Sequence, residues 1–329
     1  MTAVRGDERG QARGSGGRDS GGRGSGERGS GERQVRADVI GRHSFEALAG
    51  LLGVRPAAVE LLPPMWHVAQ LLEAVPQDLI GPDGHPLAGL PAPPAPGARR
   101  MFAGGRVWHR RPLAVGREAT RTSWILASRE VEGRSGHLRF VTVRHEYVQD
   151  GDLAVRDDHE IVYRPPRPDG APSITRTGEP EPPGTTGPGT ALAVDPVVLF
   201  RFSALTYNAH RIHYDRDHAR TEGFDDLVIH GPLQAVLMAE ELRGRGQDLL
   251  GQVFTYRLHA PAVGPQTIRA RRPAGGAPEQ VETVTGDGEV SASGSLTAAD
   301  ENGGTAGDRA AEADGGPAAK MSQTRRGDG

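Results

Sequence analysis

The chain has 329 residues, a formal net charge of −3 and 36% hydrophobic residues, which is enough sequence for one or two packed domains. The near-neutral charge gives no electrostatic basis for binding nucleic acid, and a sequence without cysteine excludes disulfides, thiolate catalysis and cysteine-ligated zinc. No apolar run approaches the roughly 18 to 20 residues that span a bilayer, and the N-terminus lacks the apolar stretch of a signal peptide. We therefore expect a cytoplasmic protein that does not contact membranes.

Both ends of the chain are of low complexity. Residues 1–35 repeat Gly, Arg, Ser and Glu (GSGGRDS, GGRGSGERGSGER), and residues 299–329 have the same character, so both are predicted to be disordered tails. An RNA-binding Gly/Arg tract is the alternative for the first tail, but acidic residues dilute its charge and no aromatic residues are interleaved. Residues 166–190 are rich in Pro, Gly and Thr, which predicts a linker. The ordered chain is thereby divided into two domains, 36–165 and 191–298.

The first domain begins with helical patterns and continues with strand patterns. SFEALAGLL opens with Ser44 in an N-cap position, and PPMWHVAQLLEAV carries apolar residues at helical spacing, which predicts a buried helix over 63–75. The runs REATRTSWILASREVEG, HLRFVTVRHEYVQD and DLAVRDDHEIVYR are separated by glycines at turns. They predict three antiparallel strands.

The second domain follows the same plan. Asp195 and Pro196 begin one helix, and HGPLQAVLMAEELRG predicts a longer helix with Gly231 and Pro232 at its start and Gly244 near its end. The runs QVFTYRLHAPA, QTIRARRP, QVETVTGDG and EVSASGSLTA are strand-like. A helix wrapped by an antiparallel sheet, present twice, indicates a tandem repeat of a small α+β unit.

Between the two helices of the second domain lies TYNAHRIHYD, residues 206–215, which concentrates the chemistry of the chain. Its neighbourhood offers six potential metal ligands: His210, His213, Asp215, Asp217, His218 and His230. The spacing matches no closed zinc signature, no HExxH pattern exists, and a third ligand would be an arbitrary choice, so no metal is predicted. A second interpretation is a loop of exposed, hydrogen-bonded histidines.

The third interpretation is acid/base chemistry beside a helix N-terminus. Adding water to, or removing it from, an acyl thioester requires a group that moves a proton and donors that hold the enolate-like oxygen. Histidine suits the first task because its unperturbed pKa of about 6.5 lets it work in both directions at neutral pH. The free amides at the start of the helix near Gly231 suit the second, and glycine there admits a close carbonyl.

FRFSALTYNAHRIHYD followed by GFDDLVIHGPL resembles the hydratase 2 motif of the MaoC-like, hot dog-fold dehydratases, usually G-D-x-N-P-x-H with a later H-G at the central helix. N-x-H-R-I-H-Y-D is similar to a branch with mesaconyl-C4-CoA hydratases and mitochondrial-type 3-hydroxyacyl-thioester dehydratases. LLPPMWH, GPDGHP, RRMFAGGRVWHRRPLAVGREATRTS and EGRSGHLRFVTVRHE resemble the N-terminal half of that branch. The resemblance covers about residues 40–298 and implies an α+β double hot dog fold, with two long helices each wrapped by an antiparallel sheet.

Carried over by position, the resemblance makes His213 the catalytic histidine and Gly231 the glycine whose amide faces the thioester carbonyl. Asn208 stands where the broader family has a catalytic aspartate. An amide cannot accept a proton, so Asn208 is expected to orient water or His213, while His213 carries the proton transfer.

The remaining predicted site residues are His210, Arg211 and His230, expected to bind substrate. Arg211 could meet a substrate carboxylate with two parallel hydrogen bonds, although a structural role is the alternative for this arginine. In the first domain Trp66 is expected in the core and His67 as a lining residue. That domain has no equivalent of N-x-H-R-I-H, so the resemblance implies that it is non-catalytic and shapes the acyl site.

The resemblance thus implies a hydratase or dehydratase that adds water reversibly to a 2,3-enoyl-CoA, with a mesaconyl-C4-CoA-like substrate. An (R)-3-hydroxyacyl-thioester dehydratase of fatty-acid metabolism and a non-catalytic acyl-thioester-binding protein are the alternatives. An acyl-CoA thioesterase ranks lower, because no suitable carboxylate can be placed. The expected partner is an acyl-CoA or acyl carrier protein thioester, with a homodimer possible and neither metal nor other cofactor implied.

Overall fold

A computed structural model describes residues 27–28, 32–55, 60–133, 136–167, 173–175 and 188–299. Most of the predicted tails, 1–35 and 299–329, and most of the predicted linker 166–190 lie outside these residues, so the domain boundaries stay predictions. One detail is visible at the first boundary, because Gln34 and Val35 already belong to a strand.

The described elements agree with the α+β class. The strands are β1 (Glu27–Arg28), β2 (Gln34–Val39), β3 (Arg99–His109), β4 (Glu118–Gly133), β5 (Gly136–Gln149), β6 (Asp152–Arg164), β7 (Thr190–Val194), β8 (Gln252–Leu258), β9 (Gln266–Arg271), β10 (Gln280–Val284) and β11 (Val290–Ala298). The α-helices are α1 (Arg42–Leu52), α2 (Pro196–Thr206), α3 (Arg216–Thr221) and α4 (Gly231–Gly244), with 3-10 turns at Trp66–Ala69, Gln77–Leu79 and Arg211–His213.

Within the described residues the strands form one eleven-stranded sheet in which every pairing is antiparallel. Both β1 and β2 pair with β4, and the order continues through β5, β6, β3, β8, β11, β10, β9 and β7. The two halves of the sheet join where residues 104–109 of β3 pair with residues 252–257 of β8. Two hot dog sheets therefore share one continuous hydrogen-bonded edge.

The central helix of the second half forms as its sequence predicts. Pro232 occupies a first-turn position, where its missing N–H is no loss. Residues 233–242 are all buried, because the sheet wraps this helix on one side and α1, α2 and the Trp66 turn share its core. The helix is therefore buried on nearly all sides, and its buried residues include the polar Gln234, Glu240 and Glu241.

The long helix predicted over 63–75 in the first half is wrong. The structure forms only the single 3-10 turn Trp66–Ala69 there, followed by irregular chain. Pro63 and Pro64 precede the turn, and Met65 and Leu71 have positive φ values of 73° and 50°, which a continuous α-helix excludes. The apolar side chains reach the core from a turn, and Trp66 is 1% exposed, as predicted for a core residue.

The two halves also contact each other above the sheet. Trp66 Nε1 donates a hydrogen bond of 2.7 Å to Glu240 Oε1 on α4. The backbone N–H of Arg211 donates to the carbonyl of Asp83 at 2.9 Å. Among the described residues no helix has the length and apolarity needed to cross a bilayer.

Candidate active site

The predicted motif lies between the end of α2 and the start of α4. Tyr207 ends α2 in a left-handed conformation, with φ of 50°, and the chain then forms the 3-10 turn Arg211–His213 and the short helix α3. Asp215 caps α3, because its side chain accepts from the N–H of His218. This local order turns the His213 side chain inward, where it is 7% exposed.

His213 is held in a single orientation. Its Nδ1 lies 2.7 Å from the carbonyl oxygen of Val228, and a carbonyl only accepts, so Nδ1 carries the proton and Nε2 has the free lone pair. Burial, and then the neighbouring His230 and His210, hold the pKa of His213 well below its usual range. The imidazole is therefore neutral at pH 7 and able to accept a proton.

His230 and His210 surround this base. The His230 ring stacks on His213 with centroids 3.6 Å apart, and its Nε2 is 2.9 Å from Ser203 Oγ. Burial lowers the pKa of His230 to about 3, so it is neutral as well. The His210 ring lies edge-on to His213 at 5.6 Å, and its Nε2 is 3.4 Å from Glu222 Oε1.

Gly231 places the start of α4 beside these rings. Among the described residues neither a backbone nor a side-chain acceptor takes its N–H, as expected for the first amide of a helix. A Cβ at this position would lie 2.3 Å from Leu258 Cδ1 and 3.0 Å from Phe102 Cδ1. A side chain here would therefore displace Leu258, and the Gly231 amide at the positive end of the helix follows directly on His230, whose ring stacks on His213.

Asn208 has a visible structural role. Its Oδ1 accepts the N–H of His210 at 3.0 Å, so the amide holds the turn that carries His213. Among the described residues its side-chain N–H₂ group has no acceptor, so this group can orient a water molecule.

Arg211 is engaged within its own loop. Its Nε and Nη2 both donate to Asp215 Oδ2, at 3.0 and 2.6 Å, and its Nη1 donates to the carbonyl of Pro82. These bonds favour the structural alternative for Arg211, and its substrate-binding role stays a prediction with less support.

The sequence analysis did not identify three residues that lie near the candidate site. His85 stacks obliquely on His210 with centroids 4.0 Å apart, and Asp83 binds His85 through both carboxylate oxygens. Glu222 Oε1 lies 3.4 Å from His210 Nε2 and 3.2 Å from His218 Nε2. Asp83 and His85 belong to GPDGHP, which points to the site only through the family resemblance. For Glu222 the one local indication in the sequence is its i, i+4 spacing from His218.

Two groups of side chains could in principle hold a cation: Asp83, His85 and His210, and His210, His218 and Glu222. In the first group His85 is hydrogen-bonded to Asp83 and its ring lies against the His210 ring, and in the second group His210 and His218 both lie within hydrogen-bond distance of Glu222 Oε1. Both carboxylates therefore already have histidine partners.

His67 lies in a separate polar cluster of the first half. Its Nε2 is 3.0 Å from Asp157 Oδ2, which also receives His159 Nε2 at 2.9 Å. Asp157 is 1% exposed, and the two histidines hold its pKa well below its usual range against the opposing effect of burial. Loss of either imidazole would leave this buried carboxylate with one partner fewer, which is strongly destabilising.

The fold places the chain among the double hot dog proteins. It has a TM-score of 0.57 to a MaoC-like dehydratase from Phytophthora capsici, at 15% identity, covering 82% of this chain and 96% of that one. To HtdX of Mycobacterium tuberculosis the TM-score is 0.56 at 16% identity, covering 80% of this chain and 99% of that one. At these identities the likeness concerns the fold.

Sequence comparison narrows the class. Residues 65–264 match the hydroxyacyl-thioester dehydratase type 2 family. The chain is 44% identical to a mesaconyl-C4-CoA hydratase of Chloroflexus aurantiacus over 208 residues, 63% of this chain and 72% of the relative. It is 25% identical to a mitochondrial hydroxyacyl-thioester dehydratase type 2 of Schizosaccharomyces pombe over 241 residues, 65% of this chain and 78% of the relative. The chain belongs to the hydroxyacyl-thioester dehydratase type 2 family, within the MaoC-like double hot dog dehydratases and hydratases.

Proposed function

We propose that the protein is a hydro-lyase that adds water reversibly across the 2,3 double bond of an enoyl-CoA, with a mesaconyl-C4-CoA-like dicarboxylic substrate. The observation that carries the proposal is the placement of His213, a neutral buried imidazole with fixed tautomer, beside the free Gly231 amide. The 44% identical relative is named as a mesaconyl-C4-CoA hydratase, which supports the reaction and the substrate class.

In the hydration direction, water attacks C3 of the enoyl group while His213 Nε2 takes one of its protons. The electron pair of the double bond moves through C2 onto the thioester oxygen, and the Gly231 N–H stabilises the resulting enolate. Return of the proton from His213 to C2 completes the addition, so the histidine is unchanged at the end. Dehydration follows the same steps in reverse.

Asn208 takes part as a positioning group. While Oδ1 accepts the His210 amide, the N–H₂ group can donate to a lone pair of a water molecule and orient it, without accepting a proton. We expect Asn208→Asp to keep or raise the hydration rate, because a carboxylate can accept the same amide hydrogen and add a second base. A near-total loss of turnover would show that the amide donor is required.

Mass spectrometry tests the proposed reaction. Mesaconyl-C4-CoA, crotonyl-CoA and a long-chain 2-enoyl-CoA are incubated with the protein and with His213→Ala. Gain of one water only with the unaltered protein is the expected result. Preference for the long-chain substrate would favour the dehydratase of fatty-acid metabolism. Binding without water gain on any of the three would favour a non-catalytic acyl-thioester binder, and release of free thiol would indicate a thioesterase.

A further inference from the structure

Arg100 lies on β3 next to the candidate site. It pairs with Tyr163 of β6 in the sheet and stands two residues before Phe102. Side chains two apart on a strand point to the same face, and the Phe102 ring is one of the groups against Gly231. Arg100 therefore projects from the sheet on the side where α4 begins.

The neighbours of Arg100 place it at the histidine cluster. Burial lowers the pKa of His85 to about 4, the charges of His210 and Arg100 act in the same direction, and the hydrogen bond with Asp83 opposes the shift. Burial also lowers the pKa of Arg100 itself, against the influence of Tyr163 and Asp83. Since His85 contacts His210, and His210 contacts His213, Arg100 lies close to the row of imidazoles that leads to His213.

Within the described part of the chain, the Arg100 guanidinium has neither a hydrogen bond nor an ion pair. The nearby carboxylates serve other groups: Asp83 binds His85 through both oxygens, and Glu222 binds His210 and His218. A partly buried guanidinium without an anion is unfavourable. Its five donors are free to form the two parallel hydrogen bonds that a carboxylate accepts.

The proposed substrate supplies such a carboxylate at a defined position. In a mesaconyl-C4 thioester, a methyl-substituted butenedioic acid, the free carboxylate is attached to C3, the carbon that water attacks. A cation that recognises it must therefore lie beside the catalytic histidine. Arg100 meets this condition, while the Arg211 guanidinium is already bound to Asp215.

We propose that Arg100 is the specificity-determining residue that binds the free carboxylate of a short dicarboxylic enoyl thioester. The inference rests on the proposed hydratase function and adds the group that selects a dicarboxylic over a monocarboxylic acyl chain. The guanidinium also orients C3 relative to the water held at His213.

Arg100→Gln and Arg100→Lys test this role with two substrates of equal backbone length, mesaconyl-C4-CoA and crotonyl-CoA. For Arg100→Gln we expect kcat/KM for mesaconyl-C4-CoA to fall roughly 100-fold, since a buried charge-assisted pair is lost, and kcat/KM for crotonyl-CoA to stay within about threefold. Arg100→Lys should be intermediate, because lysine keeps the charge without the planar fork. Arg106→Gln, on the same strand but ion-paired with Asp158, should leave both rates unchanged.

Three outcomes would overturn the inference. Equal losses on both substrates would mean that Arg100 supports the fold or binds the CoA moiety. A selective loss in Arg211→Gln, with none in Arg100→Gln, would move the carboxylate site to Arg211. If the unaltered protein hydrates crotonyl-CoA and not mesaconyl-C4-CoA, the hydratase function stands and the Arg100 inference fails.

A binding measurement on variants without His213 tests the role of Arg100 independently of the hydration rate. Mesaconyl-C4-CoA and crotonyl-CoA are titrated by calorimetry into the single variant His213→Ala and into the double variant His213→Ala/Arg100→Gln. We expect the second substitution to weaken binding of mesaconyl-C4-CoA alone, raising its Kd by a factor of about 10 or more. No preference for the dicarboxylic ligand in the single variant, where Arg100 is intact, would contradict the inference, whatever the rates.

Discussion

The two halves of the molecule share a sheet architecture and differ in what lies on it. In the second half the sheet wraps α4, whose first residue is Gly231 and whose start adjoins His213 and His230. In the first half the corresponding apolar sequence forms only the turn Trp66–Ala69, which has no helix N-terminus of comparable length. Both halves bury histidines, but among the described residues the arrangement of a buried histidine beside a helix start with a free amide is found in the second half. The proposed chemistry therefore depends on the helix start as much as on the imidazole.

Removing one buried histidine from each half should give the largest contrast, because we expect His213 to act in catalysis and His67 to act in stability. His213→Ala should lower the hydration rate by roughly a thousandfold, because general acid/base groups contribute about 10² to 10⁴. His67→Ala should instead destabilise the fold by about 3 kcal/mol, since it takes one of two partners from buried Asp157, while kcat of the folded fraction stays unchanged. Steady-state rates and urea unfolding of both variants measure the contrast. Near-normal turnover of His213→Ala would refute its role.

Gly231→Ala tests the helix start, and we expect the rate to fall roughly 100-fold. The added methyl would meet Leu258 and Phe102 and shift the amide that holds the enolate, a donor worth about 10² to 10³ in rate. Gly244→Ala at the other end of the same helix is the matched control, because nothing lies within 4 Å of a Cβ there. Equal rates for the two variants would show that the helix start does not take part.

The free energy of unfolding should fall at acidic pH because of buried histidines in both halves. In the first half a substitution of His109 should remove part of this fall without loss of activity. His109 in the first half and His230 in the second have pKa values lowered to about 3, chiefly by burial. A histidine neutral in the fold and protonated when unfolded makes stability fall as pH drops from about 6.5 towards 3. We expect His109→Phe to raise the free energy of unfolding at pH 5 by about 2 kcal/mol relative to its effect at pH 8, with hydration retained. Urea melts at both pH values measure this, and an equal change at the two would contradict it.

Removing the hydrogen bond between Trp66 and Glu240, which links the two halves, should change the free energy of unfolding by a smaller amount. Trp66→Phe removes the hydrogen bond to Glu240, a residue whose pKa is raised by burial. We expect a loss of about 1 to 2 kcal/mol in unfolding free energy with unchanged kcat. Glu240→Gln, which keeps an acceptor oxygen, should lose less than Trp66→Phe. A drop in kcat on Trp66→Phe would show that the first half sets the position of α4.

Short-range sequence patterns predicted most elements of the second half and the strands β4, β5 and β6 of the first. Asp195 caps α2 through the N–H of Val198, and the Gly231–Pro232 pair begins α4, as the sequence predicts. The alternating runs became strands β4, β5 and β6 because alternation places one face against the core. The same logic failed over 63–75, where helical spacing of apolar residues was satisfied by a turn between prolines and residues of positive φ.

Sequence alone was sufficient for the α+β composition, the strand runs and the helix beginning at Gly231. Through the family resemblance it also singled out His213 and Asn208, whose roles stay a prediction. The folded structure was needed to show that His85 stacks on His210, that Arg211 is bound to Asp215, and that Arg100, on the strand beside the site, has neither a hydrogen bond nor an ion pair among the described residues. Local patterns report how a segment satisfies its own backbone and where its apolar side lies. Contacts between distant segments, such as Trp66 with Glu240, 174 positions apart, depend on how the sheet brings those segments together, which no local period encodes.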